Sequence, residues 1–166
     1  MLAFICNKKA KLLLQTKMIG VFYKIKTLLL SLCNYKTIGV RALVVKNNKV
    51  LLIRHTYMDG WYTIGGGVDA NESPIEAISR EIKEEAGITI TAKPKLFNIY
   101  HNKIQKRDDY VIFYVVTEFT ENNSIDSIEI AEKKWFPLSK LPENVSISTT
   151  RRIKEYLGEL EVSNAW

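Results

Sequence analysis

Runs of alternating or continuous apolar residues predict a series of β-strands in the 166-residue chain. Residues 40–45 and 50–54 are rich in β-branched side chains, and the four residues between them contain Asn47 and Asn48. Asparagine adopts the positive φ of a tight turn, so we expect a hairpin here. Further runs have strand character; they are residues 61–64, 88–92, 96–101, 110–119 and 135–136.

One helix is predicted together with both of its ends. Ser73 suits the N-cap, Pro74 suits the first helical position, and Glu76 completes a capping box. Gly87 supplies the C-terminal stop, so residues 74–86 should be helical. The apolar positions of this segment recur every three or four residues: Ile75, Ile78, Ile82 and Ala86. They predict one face packed on a core.

The order of the predicted elements indicates the fold class. Strands precede and follow the first helix, and a second helix is expected at residues 149–157. This order predicts an α/β fold in which helices cover both faces of a mixed β-sheet. We expect the domain to span residues 37–160 and a short C-terminal tail to occupy residues 161–166.

Charge divides the chain into two parts. No acidic residue precedes Asp59, so residues 1–58 carry eleven lysines and arginines and no aspartate or glutamate. Residues 59–166 carry thirteen basic and eighteen acidic side chains. The net charge of +6 therefore comes from the N-terminal third and does not by itself indicate nucleic-acid binding.

Residues 1–36 form a basic apolar extension that we expect to be partly helical. No apolar run in it approaches the roughly 20 residues that span a membrane. Three interpretations remain open: a helix packed on the domain, a basic helix on an anionic membrane surface, or a translation start at Met18. Cys6 and Cys33 lack metal-binding or redox spacing and are expected to be reduced thiols of a cytosolic protein.

Three glutamates lie beside the apolar face of the first predicted helix. Glu81, Glu84 and Glu85 are spaced so that their carboxylates should converge, and like charges at this spacing destabilise a helix. A divalent cation would relieve the repulsion, and oxygen ligands without cysteine or histidine suit Mg²⁺ or Mn²⁺. The alternative is an acidic face in contact with solvent.

The neighbours of these glutamates favour the metal site. Gly65, Gly66 and Gly67 allow the backbone to approach a ligand and to present N–H groups to an anion. Glu72 can reach back to Arg80 across the start of the helix. Together these features indicate chemistry on a phosphate ester or anhydride.

Residues 66–88 resemble the Nudix box. That pattern is glycine, five residues, glutamate, seven residues, then Arg-Glu-apolar-any-Glu-Glu-any-Gly-apolar. All nine of its restricted positions match in this chain; they are Gly66, Glu72, Arg80, Glu81, Ile82, Glu84, Glu85, Gly87 and Ile88. The similarity covers residues 38–157 and includes "GWYTIGGG" and "KKWFPLSKLP". It departs at Ile64, where many members have proline.

The resemblance implies a Nudix-like α/β/α sandwich and Mg²⁺-dependent hydrolysis of a pyrophosphate bond in a nucleoside diphosphate linked to another moiety. It implies that Glu81, Glu84 and Glu85 bind the metal, with Gly66 beside them. Glu81 or a glutamate from a later loop would help to deprotonate the water. Glu72 and Arg80, at the two ends of the loop, would brace it.

Several other residues are candidates for the site. Glu129 is favoured over Glu132 as the later glutamate, although such a residue can equally face solvent. Arg54 and Arg41 are candidates for the substrate phosphates, with a surface ion pair as the alternative for Arg54. Tyr57 and the three glycines complete the predicted substrate contacts. His55 flanks the same entrance and could contact the base or sugar, with a partly buried histidine as the alternative. Trp61 is expected to pack in the core.

The choice of substrate depends on loops outside the box. The stretch from Arg54 to Trp61 resembles small bacterial members that act on nucleotide sugars or ADP-ribose-like compounds, and we favour that class. The alternatives are hydrolysis of nucleoside triphosphates or of an RNA 5′ pyrophosphate, and a nucleotide-binding regulator without turnover. Nucleic acid is not an expected partner, and a homodimer is left open.

Overall fold

The structure is a computed structural model that describes residues 36–104, 107–122 and 127–166. The expectations for the N-terminal extension, including membrane contact, the start at Met18 and the two thiols, concern residues outside these ranges. Within the described ranges, no helix is long and apolar enough to cross a membrane.

The described residues form seven strands and two helices. In chain order these are β1 (Thr37–Lys46), β2 (Lys49–His55), α1 (Pro74–Ala86), β3 (Ile88–Ile90), β4 (Lys95–Ile104), β5 (Arg107–Val116), β6 (Phe119–Glu121), β7 (Ile130–Pro137) and α2 (Ile147–Tyr156). Five strands form one sheet in the order β4-β5-β1-β2-β7, and β3 pairs with β6. Strand β1 is parallel to β5 and antiparallel to β2, so the predicted mixed sheet is confirmed.

The hairpin between β1 and β2 follows the sequence prediction. Asn47 and Asn48 have φ values of 51° and 57°, which places both in the left-handed region that this turn needs. Lys46 pairs with Lys49 across the turn. The asparagine pair therefore sets the register of the two central strands.

Alternate residues of the central strands face two separate cores. Val40, Ala42 and Val44 pack in one cluster with the buried face of α1, and Ile78 and Ile82 of that helix are fully buried there. Leu43 and Val45 of β1 face a second cluster that includes Ile153 of α2. The expectation that helices cover both faces of the sheet is confirmed.

Some predicted strands have other limits in the structure. Residues 110–119 do not form one strand, because β5 ends at Val116 and β6 joins the smaller sheet. Strand β7 is longer than the predicted pair 135–136, since it pairs with β2 along its length. Residues 61–64 form isolated bridges instead of a strand, and α2 begins two residues before residue 149.

The predicted C-terminal tail packs on the domain. The backbone N–H of His101 donates to Asn164 at 2.8 Å, and that of Trp166 donates to His101 at 3.0 Å. Arg152 is fully buried, pairs with Glu155 at 2.9 Å, and donates from Nη1 to the backbone oxygen of residue 165 at 3.0 Å. A buried arginine needs such partners, and these contacts make residues 161–166 part of the folded unit.

Candidate active site

Helix α1 carries the acidic residues of the site, and local contacts define both of its ends. The side chain of Ser73 accepts from the backbone N–H of Glu76, and the Glu76 carboxylate accepts from the N–H of Ser73 at 2.8 Å. Gly87 ends the helix with φ 62°, and Lys133 of β7 donates to the last carbonyl, Ala86, at 2.6 Å. The predicted capping box and glycine stop are confirmed.

The glycine turn runs beside β1 and leaves little free space. The N–H of Val40 donates to the Gly66 carbonyl at 2.9 Å. Gly65 has φ 139°, and a Cβ there would overlap the backbone oxygen of Val40. A Cβ on Gly66 would overlap the carboxylate of Glu81, whereas one on Gly67 would have no neighbour within 4 Å. A side chain at Gly65 would therefore clash with the backbone of β1, whereas a side chain at Gly66 would displace the Glu81 carboxylate.

Arg80 ties the loop to the helix. Its Nε and Nη2 each lie 2.9 Å from an oxygen of Glu72, and Nη2 also donates to the carbonyl of Gly67 at 3.2 Å. Nη1 donates to Glu81 at 2.7 Å. The predicted ion pair between Glu72 and Arg80 is confirmed, and its two parallel bonds give a defined geometry.

The carboxylate of Glu85 is buried beneath the glycine turn. The residue is 7% exposed, and the N–H of Gly65 donates to its Oε2 at 2.9 Å. Burial raises the pKa of Glu85 to about 8, although Arg41 and the Gly65 N–H oppose the shift. Burial also raises the pKa of Glu81, against the opposing effect of Arg80. Two neighbouring carboxylates are therefore held where their negative charge is unfavourable.

These groups face a cleft of about 500 Å³. The predicted site residues that line it are Arg41, Tyr57, Gly65, Gly66, Gly67, Glu81, Glu85 and Glu129. The structure thus brings together candidates from β1, the glycine turn, α1 and the segment before β7. Arg41 is the one lysine or arginine among the described lining residues.

Comparison with known proteins identifies the family. A NUDIX domain model matches residues 36–156. The chain belongs to the Nudix family. This confirms the resemblance of residues 66–88 to the Nudix box.

Curated relatives of this Nudix protein include two similar mammalian proteins. Diphosphoinositol polyphosphate phosphohydrolase 2 of Rattus norvegicus is 38% identical over 93 residues, covering 55% of this chain and 51% of that protein. Diphosphoinositol polyphosphate phosphohydrolase 3-beta of Bos taurus is 37% identical over 93 residues, covering 55% of this chain and 56% of that protein. The chain spans about half the length of these relatives.

Solved structures share the Nudix fold. A MutT NUDIX hydrolase from Burkholderia pseudomallei superposes with a TM-score of 0.65 at 23% identity, over 72% of this chain and 97% of that one. A UDP-X diphosphatase superposes with a TM-score of 0.50 at 25% identity, over 76% of this chain and 65% of that one. The Nudix-like fold predicted from the sequence is confirmed.

The three box glutamates of α1 do not all reach the cleft. Glu84 is 53% exposed, lies outside the lining and is 3.4 Å from Arg80. Within the part of the chain that the structure describes, no three carboxylate, histidine or cysteine side chains lie together at metal-binding spacing. The three carboxylates therefore do not converge as expected. Arg80 binds Glu81 and Glu84, whereas the Gly65 N–H binds Glu85.

The remaining donors still suit a divalent cation. Glu81 and Glu85 offer carboxylate oxygens, which Mg²⁺ and Mn²⁺ prefer. Their raised pKa values show that positive charge in the cleft would stabilise both ionised groups. The absence of a side chain at Gly66 also leaves room beside the Glu81 carboxylate.

Of the two later glutamates, the structure places Glu129 in the cleft. Tyr57 Oη lies 3.4 Å from the Glu129 carboxylate, and the N–H of Thr56 donates to the Glu129 carbonyl at 2.8 Å. Glu132 pairs instead with Arg54 at 2.8 Å, and both side chains are about half exposed outside the cleft lining. The register shift between Arg54 and the next residue separates the two glutamates. The structure therefore shows Arg54 in a surface ion pair, which was the alternative to a contact with the substrate phosphates.

His55 lies at the cleft wall as a buried, neutral ring. Its centroid is 5.2 Å from that of Tyr57 and 5.8 Å from that of Tyr62. Burial, with a smaller contribution from Arg41, lowers its pKa to about 4. Its Nδ1 is buried without a hydrogen-bond partner among the described residues. Trp61 packs edge-on against Phe136 at 4.8 Å, as expected for a core residue.

Four of the lining residues that the sequence analysis missed come from one end of the sheet and from the C-terminal segment. Thr37, Asn102 and Asp109 lie on three adjacent strands at one end of the sheet, and Trp166 lies beside them. A cross-strand alignment depends on register, which the local pattern of residues 101–110 did not reveal. Trp166 lies in the segment that was expected to be a tail.

Proposed function

We infer that this Nudix protein is a pyrophosphohydrolase that cleaves a nucleoside diphosphate linked to an uncharged moiety, with Mg²⁺ as its metal. The observation that carries the proposal is the placement of Glu81 and Glu85 in one cleft with the glycine turn. Family membership supports the reaction type, and Nudix hydrolases generally depend on a divalent metal. The relatives named as phosphohydrolases and the structure named as a diphosphatase agree with this class.

Glu81 and Glu85 are the residues that would hold the metal. A bound divalent cation neutralises diphosphate oxygens and lowers the pKa of water. Arg80 keeps Glu81 in place through the 2.7 Å bond, and the Gly65 N–H keeps Glu85 in place. The protein therefore pre-orients two carboxylates before any ligand enters, which is how a rigid site favours the transition state.

Other residues of the cleft serve the substrate and the proton. Arg41 can pair with a phosphate oxygen, and the glycine turn allows the diphosphate to approach the backbone. Glu129 is positioned to accept a proton from water at its carboxylate, while Tyr57 limits the orientation of that carboxylate. Glu81 is the other acceptor that the family resemblance implies.

The charged residues that line the cleft favour one class of substrate over another. A diphosphoinositol polyphosphate, named in the relatives, carries phosphate groups around its ring as well as the diphosphate. The described cleft offers Arg41 as its one lysine or arginine, beside Glu81, Glu85, Glu129 and Asp109. Among the described lining residues, additional phosphates would meet more carboxylates than cations, and like charges repel. This distribution favours a diphosphate whose second moiety is uncharged.

A product screen tests the proposal. The purified chain is incubated with Mg²⁺ and with ADP-ribose, UDP-glucose, nucleoside triphosphates, dinucleoside polyphosphates or a diphosphoinositol polyphosphate. We expect nucleoside monophosphate from the first two, and loss of most of that turnover in Glu85→Gln. Glu143→Gln, an exposed loop change, is the matched control and should retain the wild-type rate. Absence of turnover on every diphosphate, or full turnover by Glu85→Gln, would refute the assignment.

A further inference from the structure

A row of polar side chains crosses three neighbouring strands at one end of the cleft. Asp109 of β5 is in register with Thr37 of β1 on one side and with Asn102 of β4 on the other. All three line the cleft. Neighbouring strands are about 4.8 Å apart, so Asn102 lies about 10 Å from β1, the strand that the glycine turn follows. The row therefore extends the cleft sideways from the end that holds Glu81 and Glu85.

The hydrogen bonds of the row leave acceptors facing the cleft. Thr37 Oγ1 donates to one oxygen of Asp109 at 2.7 Å, and Asn102 Nδ2 lies 3.4 Å from the other. Each carboxylate oxygen has a second lone pair, and the Asn102 carbonyl and Thr37 hydroxyl oxygens can also accept. The row is thus suited to a ligand that donates several hydrogen bonds.

An aromatic side chain lies beside these acceptors. Trp166 lines the same cleft, and its ring is 5.5 Å from that of Tyr100 and 5.7 Å from that of Phe113. The Arg152 guanidinium stands 5.4 Å from the Trp166 ring, and the backbone N–H of Trp166 donates to His101 at 3.0 Å. These contacts fix the ring before a ligand binds, which reduces the entropy lost on binding.

The negative charge of Asp109 limits which ligand groups can bind to the row. Asp109 has neutral hydrogen-bond partners, and the field of Arg41 falls on Glu81 and Glu85. A phosphate or carboxylate placed against Asp109 would be repelled. An uncharged ring with hydroxyl donors at its edge and C–H groups on its face meets both the acceptors and the aromatic wall.

We propose that Asp109, Thr37 and Asn102, together with Trp166, form the subsite for the sugar attached to the diphosphate. The inference rests on the proposed function and names the class of its second moiety. Asp109 and Asn102 are then specificity-determining residues that bind sugar hydroxyls and take no part in breaking the pyrophosphate bond.

The test compares each of two sugar substrates with an analogue that has the same nucleoside diphosphate but a methyl group in place of the sugar. Values of kcat/KM are measured for ADP-ribose and UDP-glucose, and for the β-methyl esters of ADP and UDP, which have the diphosphate without that sugar. Asp109→Asn should lower kcat/KM for the two sugar substrates by about 10- to 100-fold, the size expected for a lost hydrogen bond to a charged group. Its kcat/KM for the methyl esters should stay within about twofold of wild type, because the reacting groups are untouched.

Asp108→Asn is the matched control. It makes the same chemical change at the neighbouring residue, whose carboxylate lies 3.0 Å from His101 Nε2 and outside the cleft lining. It should leave all four values unchanged. Asn102→Ala provides a second variant that keeps Asp109, and it should show the same selective loss for the sugar substrates at a smaller size.

The outcomes separate this inference from the proposed function. If the wild type hydrolyses the esters as well as the sugar substrates, or if Asp109→Asn and Asn102→Ala lower both classes equally, the sugar subsite is refuted while the pyrophosphohydrolase stands. If the wild type hydrolyses none of the four compounds, the proposed function fails and the subsite fails with it. Selective loss in both variants, with Asp108→Asn unchanged, supports the subsite.

Discussion

Replacing Glu85 with glutamine should stabilise the metal-free protein at alkaline pH while it removes turnover. The residue is 7% exposed, and the donor to its carboxylate among the described residues is the Gly65 N–H at 2.9 Å. Burial raises the pKa of Glu85 from the ordinary 4.5 to about 8. Between these two values the folded protein keeps a proton on Glu85 that the unfolded chain releases. Glutamine keeps the size of the side chain and removes the buried charge.

The size of the effect follows from the two pKa values. Because the folded state binds more protons than the unfolded state from pH 4.5 to 8, the free energy of unfolding of the wild type falls as the pH rises. One pKa unit corresponds to about 1.4 kcal/mol. For a carboxyl group shifted from 4.5 to about 8, the loss between pH 5 and pH 8 is about 3 kcal/mol. Glutamine does not titrate, so the variant lacks this loss.

Urea unfolding in the presence of EDTA at pH 5 and pH 8 measures the difference directly. The stability of Glu85→Gln relative to wild type should rise by about 3 kcal/mol between the two pH values. Glu84→Gln removes a half-exposed charge one residue away, and its stability relative to wild type should change little with pH. If the relative stability of Glu85→Gln is the same at both pH values, the folded protein does not hold the extra proton and the reasoning is wrong.

Four further predictions concern the glycine turn, Arg80 and the buried Tyr100. Gly65→Ala should lower the free energy of unfolding by about 2 kcal/mol or more in urea, since its Cβ meets backbone atoms at a positive φ. Gly66→Ala should keep its melting temperature and lose turnover at least about tenfold, because its Cβ displaces a site carboxylate; Gly67→Ala should change neither, and equal effects at all three glycines would contradict this. Arg80→Lys should cost about 1 to 2 kcal/mol in the same assay, since lysine cannot make two parallel bonds to one carboxylate, and unchanged stability would show that the brace is not structural. Tyr100→Phe should cost about 1 to 3 kcal/mol, because its hydroxyl donates at 2.7 Å to a buried carboxylate; a smaller cost would mean that water replaces the hydroxyl.

The first helix was predictable to the residue because its signals are local. Ser73, Glu76 and Gly87 act on backbone groups within one turn of each helix end, so neighbouring letters in the sequence are sufficient. The hairpin at Asn47 and Asn48 was predictable for the same reason. The full length of strand β7 was not predictable from local signals. Four of its residues are charged or small, and its extended form depends on pairing with β2.

The end of the cleft that holds Glu81 and Glu85 was predictable from the sequence, and the opposite end was not. The box residues Glu81 and Glu85 reach the cleft through the orientation of one helix, which follows from its apolar spacing. Asp109 and Asn102 meet through the register of two strands, and Trp166 reaches them because a buried arginine holds the chain end. Such contacts join distant parts of the chain, and neither residue type nor spacing in the sequence predicts them.

The charges of the cleft connect its two ends. Among the described lining residues, Glu81, Glu85, Glu129 and Asp109 can together carry four negative charges against the one positive charge of Arg41. Two unit charges about 6 Å apart repel by about 3 kcal/mol at an effective dielectric constant of about 20. A diphosphate that enters the end with Glu81 and Glu85 would need cations to offset this repulsion, which agrees with the metal-dependent reaction that we propose. Among the described residues, the hydrogen-bond partners of Asp109 are neutral, which favours an uncharged group at that end in the proposal made above. In our proposal, the Glu81 and Glu85 carboxylates therefore favour a metal at one end of the cleft, and the Asp109 carboxylate favours a neutral moiety at the other.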